Sequence, residues 1–248
     1  MIGKQICTHL TLVLASFSIV AQAAATTTYD TSLASPTSNP ATPGCYNGTG
    51  CPNSGFTVSD DGTTELGLNA TLRYIGPAPD VGDAYTVPAG TRGGYALWDY
   101  RYSIDTQPNG VGGATLSDYT YLLTLTDLTT SATFSFDPLS IPDDAVYGPS
   151  GSGYGVNSPT TQWGAQNAEN LSFPGVGIPS FNPYALDSYQ VTLSEYAGAS
   201  LVNSDTIEVT ATTPEPATFY LFCAGLFGLA LVARKRWSPQ FQTYRIWS

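Results

Sequence analysis

Between residues 56 and 210 the chain alternates apolar and polar positions with a period of two in several short stretches. In "ELGLNATLRY" the residues Leu66, Leu68, Ala70, Leu72 and Tyr74 fall on one face. "ALWDYRYSI" sets Trp98, Tyr100, Tyr102 and Ile104 against Leu97, Asp99, Arg101 and Ser103, and "YTYLLTLT" sets Tyr121, Leu123 and Leu125 against Thr120, Leu122 and Thr124. "ATFSF", "SYQVTL" and "DTIEVT" repeat the habit. Strict alternation with Thr, Tyr and Val enrichment predicts half-buried strands. Asp60-Asp61-Gly62 and Pro108-Asn109-Gly110 have the composition of hairpin turns. No run of this region has a helical period. About seven short strands in one body of this length predict an all-β fold, an antiparallel β-sandwich that is jelly-roll-like or Ig-like.

The pattern lapses twice. Residues 26–44 are Thr, Ser, Ala and Pro with little to bury, which reads as a leader ahead of an ectodomain over residues 45–211. Residues 138–183 hold seven Pro and seven Gly with Tyr147, Tyr154, Trp163, Phe173 and Phe181 interspersed and Tyr184 next after them. So long an irregular connection is either functional or ordered by its own packing. Its aromatic side chains either cap an open end of the sandwich or form a surface that stacks on sugars or partner side chains.

The two ends follow a different rule. Residues 1–25 carry Lys4, an apolar stretch and then "AQAAA", the grammar of a secretory signal helix, with cleavage after Ala23 or Ala25. The apolar stretch is short for a retained anchor. Residues 217–233 hold no charge and are followed at once by Arg234, Lys235 and Arg236. Seventeen residues make a helix of roughly 25 Å, and long basic side chains and Trp237 extend its reach into the headgroups. This predicts a single C-terminal transmembrane helix, with the basic cluster stopping transfer on the cytoplasmic side and residues 238–248 as a cytoplasmic tail. A GPI signal would end apolar, and this chain ends "RKRWSPQFQTYRIWS".

Pro214 and Pro216 flank Glu215 just before that run. Each Pro pushes the residue before it toward extended geometry, which a protease cleft accepts. "TPEPAT", the span "LFCAGLFGLALVA" and "RKR", in that order, resemble the PEP-CTERM sorting signal of Gram-negative bacteria. Twelve residues follow Arg236 here, where the signal usually ends sooner. The resemblance assigns residues 212–237 to sorting and anchoring. It implies cleavage near Pro214, Glu215 and Pro216 by a membrane-embedded exosortase, after export through the secretion machinery and signal peptidase. It further implies an inner-membrane precursor delivered to the cell surface or an exopolysaccharide-rich matrix. "WDYRYSIDTQ" and "LSDYTYLLTL" also resemble ectodomains found with this signal.

Charge narrows what the exported body can do. Residues 24–213 carry three basic residues, Arg73, Arg92 and Arg101, against eighteen acids, a net charge of −15, with no Lys and no His. No imidazole shuttle, His zinc ligand or Schiff-base lysine can operate there. Phosphate neutralisation needs Lys and Arg, so nucleic acid is excluded as a partner. Cys45 and Cys51 are the only body cysteines, and in an oxidising compartment "CYNGTGC" reads as a local disulfide stabilising by about 2 kcal/mol. The sequence calls for no cofactor. Hard cations want several oxygens, so the pairs Asp60–Asp61 and Asp143–Asp144 are the calcium candidates, although no D-x-D-x-D-G loop is present. Asp99 and Asp105 are the least unfavourable carboxylates for glycoside hydrolysis, and Asp99 beside Arg101 reads better as a solvent-face charge. The expectation is a surface or matrix protein of structural or adhesive role and not an enzyme, with a carbohydrate- or calcium-binding module as the alternative.

Overall fold

The computed structural model describes residues 25–34, 55–110, 113–149 and 151–214. The signal helix, the pair Cys45–Cys51, Glu215, Pro216, the C-terminal span and its basic cluster lie outside the described residues. Among those described, no helix is long and apolar enough to cross a membrane.

The chain is all-β. The strands are β1 (Thr26–Thr31), β2 (Phe56–Asp60), β3 (Glu65–Leu72), β4 (Gly76–Pro77), β5 (Asp80–Val81), β6 (Ala84–Pro88), β7 (Thr91–Arg92) and β8 (Tyr95–Ala96). They continue as β9 (Trp98–Asp105), β10 (Thr120–Asp127), β11 (Thr133–Phe136), β12 (Ala145–Gly148), β13 (Gly151–Tyr154), β14 (Gly164–Glu169), β15 (Ser188–Ala197) and β16 (Ser200–Thr212). One sheet runs β1-β2-β3-β9-β14-β12-β13, with β4 beside β3, and a second runs β11-β10-β15-β16-β6-β5. Pairing is antiparallel throughout except for β16 with β6, which is parallel.

Alternation places the core where the two sheets meet. Leu66, Leu68, Ala70, Trp98, Tyr100, Tyr102 and Ile104 from the first sheet share one cluster with Tyr121, Leu123, Leu125, Val191, Leu193, Ile207 and Val209 from the second. Fully burying each such side chain contributes roughly 1.5–3 kcal/mol. Near the β2–β3 turn the interface becomes polar. There Ser59 Oγ donates to Asn203 Oδ1 at 2.7 Å, Asn203 Nδ2 donates to the Ser59 carbonyl at 3.1 Å, and Thr64 Oγ1 donates to Glu195 Oε2. Asn203 and Glu195 are buried, so these bonds join the two sheets away from water.

Four local expectations are corrected. Tyr74 leaves the inward face: it follows β3 with φ of 63° and is 77% exposed. Pro108–Gly110 is a short 3-10 turn and closes no hairpin, because β9 pairs with β3 and β14 while β10 pairs with β11 and β15. The segment read as a leader contributes β1, which pairs with β2, and Leu33, which packs on Phe56 and Val58. Gly67 makes room for Leu33: a Cβ there would stand 2.5 Å from Leu33 Cδ2. The region 138–183 supplies β12, β13 and β14. Tyr147 is buried against Trp163, Phe181 packs on Trp98 and Tyr189, and Tyr154 and Tyr184 stay exposed.

Candidate functional site

The outward face of the larger sheet gathers the chemistry. Register places Glu65 opposite Asp105, Gly67 opposite Ser103, Asn69 opposite Arg101 and Thr71 opposite Asp99, with Gln166 and Ala168 continuing the rows onto β14. The Asp99–Arg101 end of this face opens into a pocket of 560 Å³ lined by Arg73, Tyr74, Ile75, Asp99, Arg101 and Phe173. That volume lies within the span of about 300–1,000 Å³ usual for small-ligand sites.

All three cations of the exported body converge here. The Arg73 guanidinium carbon lies 4.8 Å from the Tyr95 ring centroid, 5.1 Å from Tyr74 and 5.4 Å from Phe173. Arg92 approaches the Tyr74 ring at 5.4 Å. A guanidinium over an aromatic face is held by the ring quadrupole. Arg73 Nη1 makes no hydrogen bond and stands 3.8 Å from Asp99 Oδ1, which accepts from Asn170 Nδ2 at 2.7 Å. Arg101 keeps Nε and Nη1 buried without an acceptor, and both side-chain polar atoms of neighbouring Asn69 are also buried and unbonded. Burial pulls the Arg101 pKa down against the raising effect of Asp99. Burial likewise lifts Asp99, with Asn170, Arg73 and Arg101 opposing it.

A second pocket of 350 Å³ adjoins the first across Phe173 and Ala168, and Asp143 and Glu169 line it. Burial, with Asp143, Asp144 and Asp99 nearby, pushes Glu169 up to about 8, so at neutral pH its carboxyl is mostly protonated and can donate. Asp144 lies behind, fully buried, accepting from the Tyr102 hydroxyl and from Asn167 Nδ2 at 3.0 Å, and burial pushes it up to about 7.

The structure disperses the other residues singled out by sequence. Asp60 Oδ1 accepts from Gly62 N at 2.7 Å, and Asp61 Oδ1 accepts from Thr63 N and Thr64 N at 2.8 Å each. These two carboxylates cap the β2–β3 turn. Asp143 Oδ1 accepts from Asn167 Nδ2 at 3.3 Å. Among the described residues no group of three or more His, Cys, Asp or Glu side chains is placed to hold a metal. Asp99 and Asp105 share one face of β9 but stand six residues apart, roughly 20 Å at strand rise and beyond the ~5–9.5 Å of a glycosidase pair. Asp99 is therefore a pocket residue, half-buried and paired with Arg73, and not a solvent-face charge. Sequence reading missed Arg73 and Arg92 as site residues. A signal was present: each body arginine has a tyrosine within three positions, in "RY", "RGGY" and "YRY".

The chain leaves the fold at the sorting motif. β16 runs to Thr212, whose carbonyl accepts from Ala89 N at 2.8 Å, and Pro214 is exposed two residues later. Residues 212–236 match the family model described as the PEP-CTERM protein-sorting motif. The motif begins on the last residue of the strand. No curated protein and no solved structure matches the chain. The chain is thus a PEP-CTERM protein and an exosortase substrate, exported as a membrane-anchored precursor and sorted to the cell surface.

Proposed function

We propose that this exosortase substrate serves as a structural or adhesive component of the cell surface and extracellular matrix, its two sheets forming a β-sandwich displayed beyond the membrane. The observation that carries the reading is the sorting motif joined directly to the last strand of an acidic, lysine-free body. Such a body resists collapse onto its own kind through its charge and offers a wide exterior for contact. The role is one of binding and not of catalysis, and the reading extends to a carbohydrate-binding module because the Arg73–Arg101 pocket combines cations with exposed aromatic faces.

The test has two arms. Replacing Pro214, Glu215 and Pro216 together by Ala is expected to leave uncleaved precursor in the inner membrane and to remove the body from the surface fraction. Deleting the chain is expected to weaken cell–cell cohesion. Normal processing of the triple variant overturns the sorting assignment, whereas unchanged cohesion and matrix composition on deletion overturns the adhesive role alone.

A further inference from the structure

We propose that the Arg73–Arg101 pocket binds the carboxylate-bearing unit of an acidic polysaccharide in which charged and neutral sugars alternate. This rests on the carbohydrate-binding reading above and names its ligand class. Three observations lead to it.

The first is the placement of charge. A body with a net charge of −15 concentrates every positive side chain it has around one pocket. Scattered arginines would serve solubility equally well, so convergence calls for an anion. The second is unspent hydrogen-bonding capacity. Arg101 Nε, Arg101 Nη1 and Arg73 Nη1 are buried without hydrogen-bond acceptors, and a planar carboxylate is the group whose two oxygens match a guanidinium fork. The third is the shape around the charge. Tyr74 is 77% exposed beside the arginines, and Phe173 forms the wall, so a ring entering the pocket meets aromatic faces.

The adjoining pocket sets the alternation. Beyond Phe173 the lining changes from arginines beside Asp99 to Asp143 and Glu169, whose oxygen atoms meet hydroxyl groups, and the Asp143 carboxylate repels a second carboxylate. One acidic unit in the first pocket and one neutral unit in the second is the occupancy this sequence of charges favours. An acidic peptide fits less well. The pocket lies on a sheet face and not along an edge, so no backbone ladder is offered to an extended peptide, and a run of acids would press against Asp143.

The experiment is calorimetric titration of the full chain with four probes: a hyaluronan tetrasaccharide, its carboxyl-reduced neutral form, an oligogalacturonate charged on every unit, and tetraglutamate. The alternating tetrasaccharide is expected to bind at least tenfold tighter than its neutral form and severalfold tighter than the oligogalacturonate. Arg101→Lys is expected to lower that affinity tenfold or more. Tyr74→Ala and Arg92→Ala, both at exposed positions, are expected to weaken binding severalfold without moving the melting temperature, so the proposal stays testable should the buried arginine resist substitution. Equal binding of the carboxyl-reduced form overturns the carboxylate, and equal or tighter binding of tetraglutamate overturns the sugar. Binding of none of the probes overturns the proposal. A negative titration alongside retained matrix association would remove this inference and leave the adhesive role standing.

Discussion

The outward faces of the two sheets are both polar, but they handle polarity in opposite ways. On the smaller sheet Ser188 meets Thr210 at 2.9 Å, Thr192 meets Thr206 at 3.0 Å and Thr124 meets Ser135 at 2.9 Å, hydroxyl to hydroxyl, in rows that keep partial access to water. On the larger sheet Glu65, Asn69, Thr71, Ser103, Asp105 and Gln166 are buried as deeply as the apolar core. Glu65 stands directly across from Asp105, two acids in one cross-strand pair. Such a pair persists because burial, with Asp105 and Asp60 adding to it, pushes Glu65 up to about 8 while Ala34 N donates to its carboxylate oxygens at 2.9 and 3.1 Å. A polar face can thus be stabilised by hydration or by giving up charge, and the larger sheet takes the second course.

The widest test of that contrast is pH. Glu65 has its pKa raised on folding, so the stability it contributes is complete below the unfolded value of about 4.3 and is lost as pH rises through about 8. Glu169, at about 8, and Asp144 and Glu195, each at about 7, act in the same direction. Thermal unfolding should therefore show a melting temperature that falls steadily from pH 5 to pH 9. Glu65→Gln should remove on the order of 4 kcal/mol of that dependence, and a profile flat or rising over this range would erase the difference between the faces. Next in size is Leu33→Ala, which strips the cover from Gly67, Phe56 and Val58. Chemical denaturation should register a loss of about 2 kcal/mol. The smallest effects should have opposite signs on the two sheets. Asn69→Leu removes two buried, unbonded atoms and should be neutral or stabilising by about 1 kcal/mol, whereas Thr192→Val breaks a satisfied hydroxyl pair and should cost about 0.5–1 kcal/mol.

What sequence could foretell followed from period two. Trp98, Tyr100, Tyr102 and Ile104 all lie inward, as do Tyr121, Leu123 and Leu125, because alternation fixes a face wherever one side is apolar. The method is blind where both sides are buried. β14 reads "GAQNAE", with no apolar rhythm, yet it sits between β9 and β12 because its small residues and amides fit a crowded central position. β1 reads "TTTYDT" and gains its place from pairing at an edge, which local composition does not encode. The pocket was half legible. Arg101 and Asp99 stood out on one strand, but Arg73, Arg92 and Phe173 reach them from separate loops and a small hairpin, a convergence set by topology and not by spacing.

The junction between β16 and Pro214 carries a mechanical consequence. β16 is held on one side by antiparallel β15 and on the other by parallel β6, and Pro214 follows its last residue by two positions. A load applied through Pro214 would pull against both ladders in shear, straining many bonds at once where a hinge would let them peel in turn. Tension along β16 would therefore meet both ladders together and a high resistance to tearing.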